Sequence, residues 1–193
     1  MFIGHEMSLD EIAKIGTGST PSRTNLAYFD GDVNWVLTGE VDEVDIFSTA
    51  EKLTRTAVED YGLRIYPPDT VLVAMYGQGK TRGKSAYLRV PAAITQNCAG
   101  IVVNPTDALP RYVYYYLRSI YEEIRGQDYS GGGVPHLNLS IISNLRIPIP
   151  SLSEQEAVIV ALDAKMKLFA DLQGLKDEAE QSARKILDRI WES

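Results

Sequence analysis

The sequence predicts an α/β (α+β) globular domain with a mixed sheet, followed by a long C-terminal α-helix that forms a coiled coil. Short runs of β-branched and aromatic residues, separated by Gly, Pro, Asn and Asp, predict several strands within residues 1–150. Residues 151–193 lack proline, contain one glycine, Gly174, and predict a single helix. We therefore divide the chain into a globular domain, residues 1–150, and a helical segment, residues 151–193.

The composition is that of an ordinary globular protein. The chain has 193 residues, of which 45% are hydrophobic and 23% charged, and this length accommodates one domain with an appendage. Its single cysteine, Cys98, excludes an internal disulfide and suits a reducing cytoplasm. We see neither a charged-then-apolar leader nor a run of eighteen apolar residues. The sequence therefore predicts a cytoplasmic protein without a membrane partner.

Charge is distributed unevenly along the chain. The formal net charge is −7, which argues against a nucleic-acid partner. The stretch 38–45 is acidic and is predicted to be a solvated loop. The stretch 70–106, in contrast, contains no acid and four cations, Lys80, Arg82, Lys84 and Arg89. A local basic stripe on an acidic body is compatible with binding an anionic ligand, so the net charge does not decide the question.

Capping residues, glycines and prolines predict where the helices and strands of the globular domain begin and end. Ser8 and Glu11 form a capping box that opens a short helix ending near Gly16. Thr54 caps a second short helix, and a third helix covers residues 110–125, whose tyrosines are expected to pack rather than to stack on bases. The predicted strands are residues 33–37, 63–66, 70–76, 84–90 and 99–103, and the prolines of residues 145–150 predict an edge strand.

The C-terminal helix carries one apolar stripe along its length. Its residues are spaced by three or four, and Ser153 with Glu156 fits a capping box at its start. At 1.5 Å per residue such a helix is about 60 Å long, which exceeds a domain of this size. The stripe therefore needs a partner, most economically a second copy of itself. The residues expected to line this pairing surface are Leu162, Met166, Phe169, Leu172, Leu175, Ile186 and Ile190.

The glycine-rich loop 77–84 is the sharpest local signal in the globular domain. Its residues Gln78, Lys80, Thr81, Arg82 and Lys84 are the candidates for DNA contact, with Arg23 and Asn25 as additions. Lysines suit phosphates, whereas Arg82 and Gln78 suit base edges. The loop also resembles a nucleotide-binding P-loop, but Ala74 replaces the first glycine and no helix can begin cleanly after it. A solvated hairpin is the other open interpretation.

Catalytic and metal-binding patterns are missing from the sequence. Its two histidines, His5 and His136, have no cysteine or acid at metal-ligand spacing. Cys98 has no evident histidine partner and is expected to be a small buried thiol. The sequence therefore predicts no metal, no cofactor and no catalytic residue.

Several motifs, taken in order, resemble a known family, the specificity (S) subunits of type I restriction–modification systems. Each motif is weak alone, but their order and spacing are specific. They are GSTP (18–21), YFDGDVNW (28–35), LTRTA (53–57), PDTVLVAM (68–75), the loop 77–83, TQN (95–97), GVPHLN (133–138), IPIP (147–150) and EQ (154–155).

This resemblance implies a target recognition domain, residues 1–150, followed by a conserved helical spacer, residues 151–193. Members have no catalytic activity: they bind one half-site of a bipartite double-stranded DNA target per recognition domain. They also hold the methyltransferase (M) subunits and, through them, the restriction (R) subunit. A complete member usually has two recognition domains and two helices. This sequence has one of each, so it is either a half-length subunit that pairs with itself or a fragment.

Two functions of other classes remain open at this point. A protein-interaction adaptor that never touches DNA is favoured by the acidic net charge and disfavoured by the acid-free stretch 70–106. An NTP-binding protein would use the GKT-like residues of the loop 77–84.

Overall fold

The computed structural model describes residues 5–77, 80–127 and 136–191, and within them the chain forms ten strands and six α-helices. The strands are β1 His5–Ser8, β2 Ala13–Thr17, β3 Phe29–Val36, β4 Asp45–Ile46, β5 Glu51–Leu53, β6 Val71–Ala74, β7 Ser85–Leu88, β8 Ala92–Ile94, β9 Cys98–Val103 and β10 Arg146–Ile149. The α-helices are α1 Leu9–Ile12, α2 Arg55–Asp60, α3 Pro110–Ser119, α4 Tyr121–Gly126, α5 Leu139–Ser143 and α6 Leu152–Trp191.

The strands form three sheets of mixed direction. The largest has the order β2-β9-β6-β7-β4, the second has the order β5-β3-β8, and β1 pairs with β10 alone. All pairs are antiparallel except β3 with β8 and β4 with β7, which are parallel. The mixed α/β prediction and the long C-terminal helix are therefore confirmed.

The core lies between the two larger sheets and continues beneath α2. Successive residues of a strand point to opposite faces, and the buried pair Trp35 and Val36 illustrates this alternation. Val36 joins a cluster with residues of the five-stranded sheet, such as Leu72 and Leu88. Trp35 packs on the other face with Leu53 of β5 and with residues of α2. Helix α3 packs against β6, β7 and β9. The three-stranded sheet thus contributes buried side chains from both of its faces.

A close contact between Tyr66 and β9 requires glycine at one strand position. The Tyr66 ring is fully buried, and its hydroxyl donates to the carbonyl of Thr17 at 3.1 Å. A Cβ built on Gly100 would lie 2.4 Å from the Tyr66 ring, well inside van der Waals contact. A side chain at this position would therefore displace the ring that joins β9 to the segment after α2.

Two predicted helices have different limits in the structure. The capping box of Ser8 and Glu11 is present, but α1 ends at Ile12, and residues 13–17 are strand β2 instead of helix. Residues 13–17 are extended because they pair with strand β9. The helix predicted over 110–125 is split at Ile120 into α3 and α4. The Ser119 hydroxyl donates to the carbonyl of Tyr116 at 2.7 Å, a local bond that competes with helix continuation. Tyr112, Tyr114 and Tyr115 are buried, as expected of packing residues.

Among the strands, the predictions are partly right. The strands predicted at 33–37, 70–76, 84–90, 99–103 and 145–150 overlap β3, β6, β7, β9 and β10, whose limits differ by a few residues. The strand predicted over 63–66 is wrong, because only Tyr66 pairs, through a single bridge to Ala92. Strands β1, β4, β5 and β8 and helix α5, which are two to five residues long, are not predicted.

Helix α6 runs for 40 residues, so its length is about 60 Å. Its capping box lies two residues earlier than predicted. The amide of Ser151 donates to the Glu154 carboxylate at 2.9 Å, and the Glu154 amide donates to the Ser151 hydroxyl at 3.4 Å. Ser153 and Glu156 are therefore not the cap. By their contacts the residues divide into two units, Met1–Gln155 and Glu156–Ser193.

Candidate nucleic-acid interface

Strands β6 and β7 pair as an antiparallel hairpin, and the described residues between them are 75–77 and 80–84. Its base is closed by two hydrogen bonds, from the Ala74 amide to the Lys84 carbonyl and from the Gly83 amide to the Ala74 carbonyl, both at 2.9 Å. Gly77 and Gly83 have φ values of +152° and +87°, a region that favours glycine. Because strand β7 follows directly, no helix N-terminus is available to hold a phosphate as in a P-loop.

Hydrogen bonds to several other segments attach this hairpin to the rest of the unit. The Tyr121 hydroxyl of α4 donates to the carbonyl of Lys80 at 2.7 Å. Arg82 Nη2 donates to the carbonyl of Arg125 at 3.0 Å. The amide of Leu137 donates to the carbonyl of Met75 at 2.9 Å. The loop backbone is thus held on both sides by other segments of the same unit.

Of the five loop residues predicted to contact DNA, Gln78 lies outside the described residues. Lys80 is exposed, and Thr81 is half-buried against Gly77. Arg82 is half-buried, and within the described part of the chain its Nη1 has no hydrogen-bond partner. Lys84 pairs with the carboxylate of Asp42, and this hydrogen bond raises the pKa of Lys84. DNA contact by these residues stays a prediction, and Lys80 has the most accessible cation.

The two additional candidates lie elsewhere, beside the three-stranded sheet. Arg23 binds the Glu51 carboxylate through Nη1 and Nη2 at 2.5 and 3.0 Å, which raises the pKa of Arg23. Its guanidinium also lies 5.0 Å from the ring centroid of Phe29 and 5.1 Å from that of Trp35. The side chain of Asn25 accepts from the Ala27 amide at 3.2 Å and so caps a short 3-10 helix. Both side chains therefore already have structural contacts.

The acidic stretch 38–45, expected to be a solvated loop, is instead paired with cations. Glu43 binds Arg118 at 3.2 Å, in addition to the pair of Asp42 with Lys84. Asp45 contacts two arginines, Arg111 and, at 3.2 Å, Arg89. These carboxylates lie beside cations that are remote in sequence because β4 pairs with β7. The acid-free stretch 70–106 is therefore partly neutralised in the folded protein, at Lys84 and Arg89.

Two further segments lie beside the hairpin and were not predicted to belong to the site. The amide of Met75 donates to the carbonyl of Asn97 at 2.8 Å, which places the turn 95–97 next to the end of β6. Gln96 in this turn is exposed, and its carbonyl accepts from the Thr17 hydroxyl at 2.9 Å. The ring of Tyr76 stacks on the ring of His136, with centroids 5.0 Å apart and planes inclined by 9°. The sequence of the loop 77–84 does not predict that Gln96 and His136 lie nearby, because both are far from the loop in sequence.

The described residues contain no group of three or more His, Cys, Asp or Glu side chains that could hold a metal ion. Cys98 is buried, and burial raises the pKa of its thiol. The thiol lies 3.6 Å from the hydroxyl of Thr95, within a polar contact that also includes Thr38. Cys98 is thus a packed side chain, as expected. No helix in the part of the chain that the structure describes is long and apolar enough to cross a membrane.

The residues predicted to line the pairing surface of α6 differ in exposure. Leu162 and Met166 are half-buried. The exposed fractions of the next four are 66% for Phe169, 56% for Leu172, 63% for Leu175 and 57% for Ile186. The side chain of Ile190 lies outside the described part. Large apolar side chains exposed at regular intervals along a helix are typical of a surface covered by a partner.

Comparison with known proteins identifies the class. Residues 5–181 match the family model described as the type I restriction modification DNA specificity domain. The chain is 24% identical over 177 residues to the type I restriction enzyme EcoR124I/EcoR124II specificity subunit of Escherichia coli, covering 90% of this chain and 44% of that protein. It is 27% identical over 193 residues to the MjaIX specificity subunit of Methanocaldococcus jannaschii, covering 96% of this chain and 42% of that protein.

The fold is also shared with solved structures. A chain from a structural study of complex assembly and conformational transition in a type I R-M system superposes with a TM-score of 0.74 at 16% identity, covering 96% of this chain and 44% of that chain. Because the family model matches most of its length, the protein belongs to the specificity (S) subunits of type I restriction–modification systems. The chain spans less than half the length of the relatives it matches.

Proposed function

We propose that this chain binds one half-site of a bipartite double-stranded DNA target and thereby supplies sequence specificity to a type I restriction–modification complex. The observation that carries this proposal is the β6–β7 hairpin, whose backbone is held by α4 and by residue 137 while the Lys80 side chain is exposed. A loop fixed in this way can present cations and polar groups to DNA without a large loss of conformational entropy on binding. Membership of the specificity-subunit family supports the same function.

Within this proposal the hairpin residues have different roles. Lys80 contacts a phosphate, and Gln78 and Arg82 are the candidates for base edges. Arg82 would have to exchange its bond to the carbonyl of Arg125 for a DNA contact. Thr81 supplies a hydroxyl, and Lys84, Arg23 and Asn25 contribute to DNA binding only if their present contacts with Asp42, Glu51 and Ala27 rearrange. Lys80 is accordingly the first residue to test.

The two parts of the chain have different roles in this proposal. Residues 1–150 act as the target recognition domain, and residues 151–193 act as a spacer that pairs with a second copy through its apolar stripe. The four side chains of the stripe with exposed fractions of 56–66% support such pairing, because each would lose contact with water in a helix pair. Pairing would join two recognition domains, and the assembly would hold the methyltransferase (M) subunits and, through them, the restriction (R) subunit.

The chain contributes recognition and no catalytic step of its own. The relatives it matches are specificity subunits, which supports a non-enzymatic role. Methyl transfer would then belong to the M subunit and cleavage to the R subunit. Adding the chain to its M subunit should direct methylation to one DNA motif, whereas the chain alone should methylate nothing.

The decisive experiment is sequencing of methylated sites in DNA treated with this chain and its cognate M subunit. A bipartite motif with an unread spacer is expected. The motif should be symmetric if two copies of the chain pair, and asymmetric if the chain is part of a two-domain subunit. Methylation without sequence preference would contradict the proposal.

An adaptor that never touches DNA is the second candidate function. The net charge of −7 and the pairing of Lys84 and Arg89 with carboxylates favour it, since both reduce the positive potential of the hairpin region. In that case the M subunit should show the same DNA affinity and sequence preference with and without this chain.

A further inference from the structure

The stacked pair of Tyr76 and His136 is an aromatic feature of the hairpin that the core does not use. Its rings are nearly parallel, with centroids 5.0 Å apart. Tyr76 is 39% exposed, and His136 is half-buried. An ordered aromatic ring that remains exposed offers apolar area and a hydroxyl group to a partner, and it loses little rotamer freedom when it binds.

The position of Tyr76 is fixed by its backbone as well as by the stack. The preceding residue, Met75, is only 5% exposed. Its amide donates to Asn97 at 2.8 Å, and its carbonyl accepts from Leu137 at 2.9 Å. Tyr76 therefore lies at the surface directly after Met75, whose backbone is hydrogen-bonded to two other segments.

The neighbours of Tyr76 have the chemistry of a nucleic-acid surface. Lys80 in the same loop is an exposed cation, and Gln96 in the adjoining turn is an exposed amide. The carbonyl of Gln96 is held by the Thr17 hydroxyl, so the turn that presents this side chain is bonded to β2. A cation can bind phosphate and position the protein on the duplex, whereas an amide and an apolar ring can contact base edges and so read the sequence.

We propose that Tyr76 is a specificity-determining residue that contacts a base in the major groove of the DNA half-site, and that His136 positions its ring. This inference rests on the proposed function, because it requires that the chain binds DNA. His136 covers one face of the Tyr76 ring, so the pair does not form a slot for a flipped base between two rings. The remaining face and edge of the ring are suited to apolar contact, for which the C5-methyl group of thymine is the best-fitting base substituent.

The test uses the full chain in complex with its M subunit and DNA duplexes that contain the motif found by methylation sequencing. Each base pair of the half-site is replaced in turn, and each thymine is separately replaced by uracil, which lacks only the methyl group. The wild-type complex should lose affinity at one particular thymine when it becomes uracil. Tyr76→Ala should reduce discrimination at that position by about 5- to 100-fold, the usual range for one base pair. The salt dependence of binding should stay unchanged, because no charge is removed.

Further variants distinguish the loss of a base contact by the Tyr76 ring from a disturbance of the fold. Tyr76→Phe keeps the ring and should retain the discrimination. His136→Ala should weaken discrimination at the same base, and His136→Phe should restore it, since a second ring can replace the stack. Tyr61→Ala is the matched control, because Tyr61 is 36% exposed and also packs on another ring, that of Tyr28, beside the three-stranded sheet. This control should leave every base preference unchanged.

The outcomes distinguish this inference from the function on which it rests. A wild-type complex without any sequence preference would contradict the proposed function itself. A specific wild-type complex whose preferences survive Tyr76→Ala, or tolerate uracil at every thymine, would overturn the role of Tyr76. Equal losses in Tyr76→Phe and Tyr76→Ala would also overturn it, because the ring contact would then not be what reads the base.

Discussion

At the scale of single residues, Lys80 is distinguished by its exposed side chain and its anchored backbone. The Tyr121 hydroxyl holds the Lys80 carbonyl, so the side chain can change without removing this bond. Lys80→Ala should weaken binding to all DNA sequences alike and lower the salt slope by about one unit, as expected for one lost phosphate contact. Binding titrations of the complex with its M subunit between low and moderate salt would measure this slope.

Lys52→Ala is the control for Lys80→Ala. Lys52 is also an exposed lysine, but it lies on β5 in the three-stranded sheet. Its substitution should leave the salt slope unchanged. If both variants lowered the slope equally, the effect would reflect the overall charge of the protein, and the hairpin would not be the DNA contact.

Asp45 is the carboxylate that contacts both Arg111 and Arg89. Its side chain is 21% exposed and that of Arg111 is 20% exposed, so solvent screens their interaction only partly. Asp45→Asn should lower the free energy of unfolding by about 1–3 kcal/mol, because it removes the charge-assisted contacts that this carboxylate makes with Arg111 and Arg89. Urea unfolding would measure the loss. Asp32→Asn, which breaks the exposed pair of Asp32 with Arg55, should leave the midpoint close to that of the wild type. Equal effects in both variants would contradict the role assigned to Asp45.

At the scale of secondary-structure elements, the two capping boxes show what local sequence can and cannot specify. Both Ser8 with Glu11 and Ser151 with Glu154 satisfy amides at the start of a helix. The first box opens a helix of only four residues, because the following segment pairs as β2. The second opens a helix of 40 residues, and among the described residues none of this segment is paired in a sheet. The Ser/Glu pattern therefore locates the start of each helix to within two residues, whereas the pairing of β2 with β9, which is remote in sequence, ends α1.

The box at the start of α6 also makes a prediction about pH. Hydrogen bonds from Ser151 lower the pKa of Glu154 below its usual value of 4.5. A lowered pKa means that the stabilising contact is complete above about pH 4.5 and is lost as the pH falls through the lower, folded-state value. NMR titration of the Glu154 carboxyl carbon should therefore give a midpoint below 4.5. Ser151→Ala should return it toward 4.5, and Ser8→Ala, at the other box, should not. An unchanged midpoint in Ser151→Ala would contradict this account.

The candidate site shows the same limit of sequence-based prediction. The sequence predicts the loop 77–84 because glycines and cations after a strand are local signals. The sequence does not predict which carboxylates pair with nearby cations. Asp42 contacts Lys84, and Glu43 contacts Arg118, only because β4 pairs in parallel with β7. Parallel pairs require long crossovers, and no short-range pattern in the sequence specifies which strands they join.

At the scale of the whole molecule, the exposed stripe of α6 makes a prediction about association. Replacing Leu172 and Leu175 together by Asn should convert a dimer into a monomer of about 21.4 kDa, because both side chains are more than half exposed in one chain. Light scattering coupled to size-exclusion chromatography would measure the mass. Gln173→Asn, a polar change on the same turn, is the control and should preserve the dimer. A wild-type chain that is monomeric at all concentrations would contradict pairing through this helix.

The pairing of β1 with β10 has a consequence for the order of folding. His5 lies opposite Ile149, so the two strands are separated by most of the recognition domain. During synthesis β1 cannot acquire its partner until the ribosome has released residue 149, roughly 7–30 s after His5 at ordinary elongation rates. The hairpin of β6 and β7 has a short connection and can close long before this. The last sheet to form therefore joins both ends of the domain at the point where α6 begins.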